Sequence, residues 1–366
     1  MKNIISLDVF LNGIEVGKLA LTKDGLCAFE YSKEYLSTGV SISPFELPLR
    51  PGIFIAQPQP FYGGFGGFDD SLPDGWGLLV QDRYLQKKGI NLSSLTLLDR
   101  LAFVGTQGRG ALEFHPDKSL KSDPEFINFS KLAHEAEKIL NEHTYQGDGI
   151  EEFQRQGGSP GGARPKVTLN FEGKDWLVKF KAKDDPDNIG KVEYEYSQLA
   201  KKCGIEMPAT RLFENKYFGV ERFDRHLDEK IHTVSVAGLL RADYRLPSID
   251  YYHIFKIASV LCKNIEELWK IFRLMVFNFK IGNKDDHAKN FAFIFKEEEW
   301  HFAPAFDLLP SNGINGYHTT SVNDNIQPQK KDLIELAQKM GIDKKEADKE
   351  YSKIEEIIRL HKLSGE

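Results

Sequence analysis

Every second residue from Ile5 to Leu11 is apolar, at the start of the chain. Asn12-Gly13 follows, and a second apolar run extends to Leu21. Alternation with a period of two places the apolar side chains on one face of a strand, and Asn-Gly favours a tight turn between two strands. The pattern predicts a β-hairpin and, with it, a β-rich N-terminal region.

Apolar residues recur three or four positions apart in several later segments. The clearest case runs from Ile265 to Phe279, where they fall on one helical face. Such spacing predicts an amphipathic helix, which would lead directly into the polar segment that starts at Ile281. Helix-like patterns also occur over 78–87, 95–103, 129–140, 189–203, 332–340 and 347–363.

Two further hairpins are predicted from short β-prone runs around polar turns. The first pairs Val167–Phe171 with Trp176–Lys181, and the second pairs Phe291–Phe295 with Trp300–Phe302.

Composition limits the class of protein. The chain has 366 residues and a formal net charge of −6, which argues against nucleic acid as a direct, electrostatically held partner. Its three cysteines are far apart and lack CxxC spacing, so they support neither a disulfide framework nor a zinc site. No signal pattern or uninterrupted apolar span is seen, and we expect a protein of the reducing cytoplasm.

A group of polar residues in the last third of the chain has the spacing of a phosphoryl-transfer site. Asp285 precedes Asn290 by five positions, and Asp307 follows on a separate segment. In a kinase the first Asp accepts or orients the substrate hydroxyl proton, the Asn holds magnesium, and the later Asp links the metal to the nucleotide phosphates. The hairpin between Asn290 and Asp307 would bring both ligands to one end of a ribbon. ATP and Mg²⁺ are therefore the expected cofactors, although each residue taken singly also fits a polar turn.

A glycine-rich run, 157–162, precedes a lysine and a predicted hairpin. Glycines allow backbone N–H groups to approach phosphate oxygens. A second glycine-rich run, 62–68, is not followed by a strand and lysine, so we expect a packed turn there. The predicted phosphate-binding residues of the first run and its strand are Ser159, Gly161, Gly162 and Lys166.

Lys179 lies among large apolar residues on the second strand of that hairpin. A lysine at such a position is expected to bind phosphate. The alternative role, that of a solvent-facing lysine which discourages aggregation at a strand edge, is assigned to Lys181. The lysine needs an acidic partner on the next helix, and both Glu193 and Glu195 qualify. Glu195 lies nearer the apolar helical face and is preferred.

These segments resemble the HipA-type serine/threonine kinases, which are toxins of bacterial toxin–antitoxin pairs. The resemblance runs in the family's order from residue 72 to residue 309. The segments that carry it are Leu72–Gly77, Ser159–Lys166, Val220–Arg225, Asp285–Phe291 and Pro304–Leu309.

The resemblance implies a two-lobed, protein-kinase-like α+β fold behind an N-terminal β-rich subdomain. It also implies that the Glu221 carbonyl and the Phe223 amide meet the adenine edge, and that Lys289 reaches the γ-phosphate. The resemblance further implies that Ser159 is a site of inhibitory autophosphorylation. His287 belongs to the loop that contacts the nucleotide. We expect its side chain to donate a hydrogen bond that fixes this loop. The implied segments are 1–115 (N-terminal subdomain), 116–150 (connection), 151–225 (ATP-binding part) and 226–366 (helical catalytic part).

The family also implies partners that the residues themselves do not reveal. They are a helix-turn-helix antitoxin that binds operator DNA, and an aminoacyl-tRNA synthetase as target, glutamyl-tRNA synthetase being the best-known case. Growth arrest would be the result.

Two other functions fit parts of the pattern. A metal-dependent phosphohydrolase would use Asp285, Asp286, His287 and Asp307 around two ions, but would not need Lys179 or the glycine loop. A non-enzymatic regulator would keep the fold to bind an antitoxin or a nucleotide, and the intact acidic residues argue against it.

Overall fold

The computed structural model describes residues 3–37, 39–121, 128–157, 161–226, 229–313 and 315–361. The chain divides into two compact units. Unit 1 comprises residues 1–191 and 211–233, and unit 2 comprises 192–210 and 234–366. Both contain helices and sheet, which confirms the α+β class. The four-part division expected from the sequence is finer than this and stays a prediction.

The N-terminal sheet of unit 1 has five antiparallel strands in the order β4-β3-β2-β1-β5. Asn12 and Gly13 both have positive φ, so the predicted hairpin is confirmed. Ile5 was expected on the buried face but is 78% exposed, because the strand begins after it and Ile4 packs inward instead. The strands are β1 Ser6–Leu11, β2 Ile14–Leu21, β3 Cys27–Tyr31, β4 Ile53–Ile55 and β5 Leu112–His115.

Among the described residues, five α-helices lie wholly within the same unit. The run 62–68 forms a packed turn entering the short helix α1, where Gly66 and Gly67 are buried. Helix α2 packs with α5 and places Trp76 beside Phe153 in the core of the next sheet, although α2 lies in the N-terminal part of the chain. The helices are α1 Gly66–Asp69, α2 Gly75–Lys87, α3 Leu97–Val104, α4 Phe129–Asn141 and α5 Gly149–Gly157.

The second sheet of unit 1 carries the predicted nucleotide-binding residues. Its order is β6-β7-β9-β8, and its core face presents Val167, Trp176 and Val178 to the helices. The strand predicted to reach Lys181 ends at Lys179. The strands are β6 Lys166–Phe171, β7 Lys174–Lys179, β8 Thr210–Phe213 and β9 Tyr217–Glu221, with a small hairpin of β10 Arg225–His226 and β11 Glu229–Lys230.

A buried ionic cluster fastens the end of β9 to the loop before β5. Asp224 accepts hydrogen bonds from Arg222 at 2.7 Å, from Arg225 at 3.0 Å and from the Gly110 N–H at 2.8 Å. Arg225 also donates to the Gly108 carbonyl at 2.8 Å. Burial alone would raise the pKa of Asp224, but the two guanidinium groups outweigh it and hold that pKa well below its usual range. The cluster joins segments more than a hundred residues apart in sequence.

Asp224→Asn is expected to lower the free energy of unfolding by about 3–5 kcal/mol, because it leaves two buried cations without their carboxylate. Since the folded-state pKa is depressed, this contribution is present above the ordinary carboxyl pKa and is lost as pH falls through the folded-state value. Denaturant unfolding of the wild type and of Asp224→Asn at several pH values would measure this contribution. The free energies of unfolding of the two proteins should become equal in acid. Asp8→Asn, which breaks an exposed pair with Lys18, is the control and should cost less than about 1 kcal/mol. Equal losses in both variants at neutral pH would contradict this account.

Unit 2 is built on the long helix α9, whose apolar residues lie in one large core. The sheet order β12-β14-β15 includes the second predicted hairpin, which is confirmed: Ala303 N–H donates to the Ala292 carbonyl at 2.9 Å as the chain returns. Within the described residues, none of the helices combines the length and apolar content needed to span a bilayer. The elements, in order, are α6 Ile189–Lys202, β12 His232–Ser235, α7 Val236–Leu240, β13 Ile249–Asp250, α8 Tyr251–Leu261, α9 Ile265–Ile281, β14 Ala292–Lys296, β15 Glu299–Phe302, β16 Thr320–Ser321, α10 Lys330–Lys339 and α11 Lys344–Leu360.

Candidate active site

The described end of the glycine-rich run is held by the start of helix α2. The Gly162 N–H donates to the Asp74 carboxylate at 2.5 Å, and the Trp76 N–H donates to the Gly162 carbonyl at 3.0 Å. Gly75 has a positive φ, and a Cβ there would come within 2.5 Å of the Gly162 carbonyl oxygen, so only glycine fits. Ser159, predicted to bind and to accept phosphate, lies outside the described residues.

Two lysines lie directly opposite each other on β6 and β7. Lys166 is 3% exposed and donates to the Gly161 carbonyl, and Lys179 is 7% exposed. Like charges paired across strands are unfavourable without compensation, and buried cations require anionic or polar partners. Lys181, by contrast, is exposed and pairs with Asp187 at 2.6 Å. The structure thus brings Gly161, Gly162, Lys166 and Lys179 together at one end of the β6–β7 hairpin.

The preference for Glu195 over Glu193 was based on the apolar face of the helix. The structure does not support that reason, because Glu193 is 4% exposed and Glu195 is only partly buried on α6; which of the two pairs with Lys179 stays a prediction. Tertiary packing, which helical periodicity does not report, buries the Glu193 side of the helix. Burial favours Glu193 as the partner of a cation.

The predicted adenine-binding segment follows strand β9. Glu221 is the last residue of that strand, opposite Trp176, and its carboxylate pairs with Lys174 at 2.8 Å. Phe223 comes two residues later, immediately before the buried Asp224, and the Arg109 guanidinium lies 5.8 Å from its ring centroid. Strand pairing and the ionic cluster therefore fix the backbone on both sides of this segment. Adenine recognition by it stays a prediction.

In unit 2, helix α9 ends at Ile281, and its C-cap Gly282 has a positive φ that turns the chain into the predicted catalytic loop. Asp285 is exposed, and its backbone N–H donates to the Ser311 hydroxyl at 2.8 Å. The Asn290 side-chain NH₂ donates to the Asp285 carbonyl at 2.7 Å and so closes the loop. This bond uses the nitrogen of the amide and leaves Oδ1 as the atom chemically suited to a metal ion.

His287 fixes the loop in a different way from the one predicted. Its Nδ1 accepts a hydrogen bond from the Lys289 backbone N–H at 3.2 Å, so in this bond the imidazole is the acceptor. The short 3-10 turn over Ala288–Asn290 starts at this cap. Sequence gave no means of choosing between the two roles, because imidazole serves as either.

Asp286 is a structural residue. It is buried and accepts hydrogen bonds from the backbone N–H groups of Thr319 at 2.9 Å and Thr320 at 3.2 Å, and it lies 3.1 Å from His318 Nδ1. Burial raises the pKa of Asp286 against the effect of these hydrogen bonds. A carboxylate engaged in this way does not suit the two-metal phosphohydrolase. Separately, the described residues contain no cluster of three or more His, Cys, Asp or Glu with the geometry of a metal site.

Asp307 has a positive φ of 54°, an unusual backbone conformation for a residue other than glycine. Its carbonyl accepts a hydrogen bond from Asn283 Nδ2 at 3.3 Å, and Asn283 is itself bonded to Asn278 at 3.0 Å. Asn278 in turn donates to the buried Tyr251 hydroxyl at 3.0 Å. This network links the loop that starts at Gly282 to Asp307. The sequence analysis missed it, although an asparagine on the apolar α9 was a usable signal.

Asn283→Ala is expected to weaken Mg²⁺-dependent ATP binding by about 10- to 100-fold, because it removes the bond that orients a predicted metal-binding residue. Isothermal titration with and without Mg²⁺ would measure this change, and thermal unfolding would show whether the fold is kept. An unchanged Mg²⁺ dependence in a folded variant would show that Asn283 does not orient Asp307.

Comparison with known proteins places two family models on the chain. The "HipA N-terminal domain" model matches residues 7–115, and the "HipA-like C-terminal domain" model matches residues 158–360. Two similar proteins come from Sinorhizobium fredii (strain NBRC 101917 / NGR234). "Putative kinase Y4dM" is 22% identical over 361 residues, covering 88% of this chain and 81% of that protein. "Putative kinase Y4mE" is 25% identical over 337 residues, covering 83% and 76%.

A solved structure has the same fold. It is the toxin–antitoxin system HipA of Shewanella oneidensis MR-1, in complex with HipB and its operator DNA. The TM-score is 0.71 and the identity is 19%, with 98% of this chain and 92% of that chain covered. The match includes both units of the chain.

Proposed function

Because the chain belongs to the HipA family, we propose that it is an ATP- and Mg²⁺-dependent protein serine/threonine kinase. The observation that carries the proposal is the closed loop from Asp285 to Asn290, joined through Asn283 to Asp307. Its spacing and polarity match the needs of phosphoryl transfer. The opposed lysines 166 and 179 give independent support, since two buried cations beside a glycine loop suit a polyphosphate.

Each residue of the proposed site has a different role in phosphoryl transfer. Asn290 and Asp307 offer amide and carboxylate oxygens, the ligands that Mg²⁺ prefers. When bound, Mg²⁺ would offset the negative charge of the phosphates. Asp285 is exposed and suited to accept the proton of a seryl or threonyl hydroxyl as that oxygen attacks the γ-phosphorus and ADP leaves. Lys289 would stabilise charge on the transferred group, and Lys179 would bind the other phosphates.

The proposed partners follow from the family. The related Shewanella structure contains an antitoxin and operator DNA, and we assign to this chain a helix-turn-helix antitoxin as partner. Its net charge of −6 favours DNA contact through that partner. We propose an aminoacyl-tRNA synthetase, such as glutamyl-tRNA synthetase, as the substrate, with growth arrest as the consequence and the cytoplasm as the location.

The fate of the γ-phosphate tests the reaction class. Purified protein would be incubated with γ-labelled ATP and Mg²⁺, with and without cell extract, beside Asp285→Asn. We expect label on protein that depends on Mg²⁺ and is absent in the variant. Label recovered only as inorganic phosphate would favour the phosphohydrolase, and ATP binding without turnover would favour the non-enzymatic regulator.

Ser159 is proposed to be an autophosphorylation site that lowers activity. A phosphoserine adds about −1.5 to −2 charges and would compete with ATP phosphates at the same backbone amides. Intact-mass analysis after incubation with ATP and Mg²⁺ should show one added phosphate in the wild type and none in Ser159→Ala or Asp285→Asn. A mass gain that survives Ser159→Ala would place the modification elsewhere.

A further inference from the structure

Tyr244 lies beside the predicted catalytic loop but belongs to none of the motifs found in the sequence. It follows helix α7, which packs against the 3-10 turn over Ala288–Asn290. At the start of α7, the Val236 N–H donates to the Phe291 carbonyl at 2.8 Å, immediately after that turn. The segment carrying Tyr244 is thus attached to the loop that supplies the proposed catalytic groups.

The aromatic ring of Tyr244 contacts two of those groups. Lys289 Nζ lies 4.3 Å from the ring centroid, and the Lys289 residue is only 9% exposed. The His287 ring is 5.7 Å away, centroid to centroid, at an interplanar angle of 50°. A cation within about 6 Å of an aromatic face is attracted to it, and more strongly where water is excluded.

Phosphoryl transfer requires the lysine charge to be held in a fixed position, and this contact would do so. A lysine carries its charge on a flexible four-carbon chain, and holding that charge in one place has an entropic cost. A ring on one side of the ammonium restricts its position without taking up its N–H donors, since the attraction is to the ring face. A carboxylate in the same place would instead neutralise the charge.

We propose that Tyr244 is a positioning residue that holds the Lys289 ammonium for the transferred phosphoryl group. This inference rests on the proposed function, through the role given there to Lys289. The ring of Tyr244 is the operative part, so an aromatic replacement preserves the effect and an aliphatic one loses it. Tyr244 acts on turnover through Lys289 and leaves the affinity for ATP nearly unchanged.

The kinetic test compares Tyr244→Leu with Tyr244→Phe. We expect Tyr244→Leu to lower kcat about tenfold with little change in KM for ATP, and Tyr244→Phe to stay near the wild type. In a Lys289→Met background, Tyr244→Leu should have no further effect, because the group it positions is gone. The control is Arg245→Gln, since the exposed Arg245 guanidinium also lies 4.5 Å from the Tyr244 ring centroid. This variant should leave kcat unchanged. Thermal unfolding midpoints would show whether each variant is folded.

A second measurement does not depend on activity. Acylation of lysines by an amine-reactive reagent, followed by mass spectrometry, reports how accessible and how basic each ammonium is. We expect Lys289 to react slowly in the wild type and in Tyr244→Phe, and several times faster in Tyr244→Leu, while the exposed Lys345 reacts equally in all three.

The inference is overturned if Tyr244→Leu leaves kcat and Lys289 labelling unchanged, or if Tyr244→Phe is as impaired as Tyr244→Leu. Additive losses in the Lys289→Met background would also overturn it, since they indicate a separate structural role. A wild type that transfers no phosphate would reject the proposed function and this role of Tyr244 together. The labelling would still show whether the ring shields Lys289, so the two failures are distinguishable.

Discussion

Asp285→Asn and Asp307→Asn are each expected to lower phosphoryl transfer by several orders of magnitude while leaving the fold intact. Asp285 is exposed, and asparagine has nearly the same shape, so the replacement removes the proposed proton acceptor and one negative charge without disturbing the core. Asp307 has a positive φ, which asparagine tolerates better than most residues, so the variant should keep the backbone and lose one negative charge. Stopped-time assays with γ-labelled ATP would measure the loss.

The two variants should differ in their affinity for ATP. Asp307 is the proposed metal ligand, so Asp307→Asn should weaken Mg²⁺–ATP binding more than Asp285→Asn. Asp348→Asn on α11, an exposed acid paired with Lys330 at 2.8 Å, is the matched control and should retain full activity. Near-normal transfer by Asp285→Asn would show that the catalytic assignment is wrong.

Lys179→Met is expected to weaken productive ATP binding by one to two orders of magnitude, roughly the effect of removing one buried charge-assisted contact. Methionine keeps the length of the side chain and removes the cation. The substitution also removes one of two opposed buried cations, so its effect on stability is measured separately from its effect on binding. Titration with ATP and Mg²⁺, together with thermal unfolding, would measure both effects.

Lys181→Met is the matched control for this experiment. Lys181 is two residues further along and on the same side of the chain by alternation, but it lies beyond the end of β7 and is exposed. Lys181→Met should therefore leave ATP binding nearly unchanged. Equal effects of the two substitutions would mean that burial does not distinguish the phosphate-binding lysine.

Local elements were predicted well because their signals are short-range. The hairpin at Asn12-Gly13, the amphipathic α9 and the hairpin before Asp307 all follow from periodicity and turn residues within a few positions. The resemblance to the HipA family is confirmed by the two family models. The sequence misled where packing decides burial, as at Ile5 and at the buried face of α6, where Glu193 and not Glu195 is buried.

The contacts that support the site were not predictable, because they join distant parts of the chain. Asp74 meets Gly162 across 88 positions of sequence, and Asn283 meets Asp307 across 24. Nothing in the local pattern around Tyr244 indicates that its ring lies over Lys289. Such contacts depend on how elements pack, whereas a sequence motif identifies only the groups that they support.

The identity of the amino acid that receives phosphate tests the central claim most directly. Wild-type protein and Asp285→Asn would each be incubated with Mg²⁺–ATP and cell extract, and phosphopeptides would be identified by mass spectrometry. The account predicts phosphoserine or phosphothreonine, on this chain or on an extract protein, in the wild-type sample only. Equal phosphopeptide sets in the two samples, with ATP bound but its γ-phosphate retained or released to water, would contradict it.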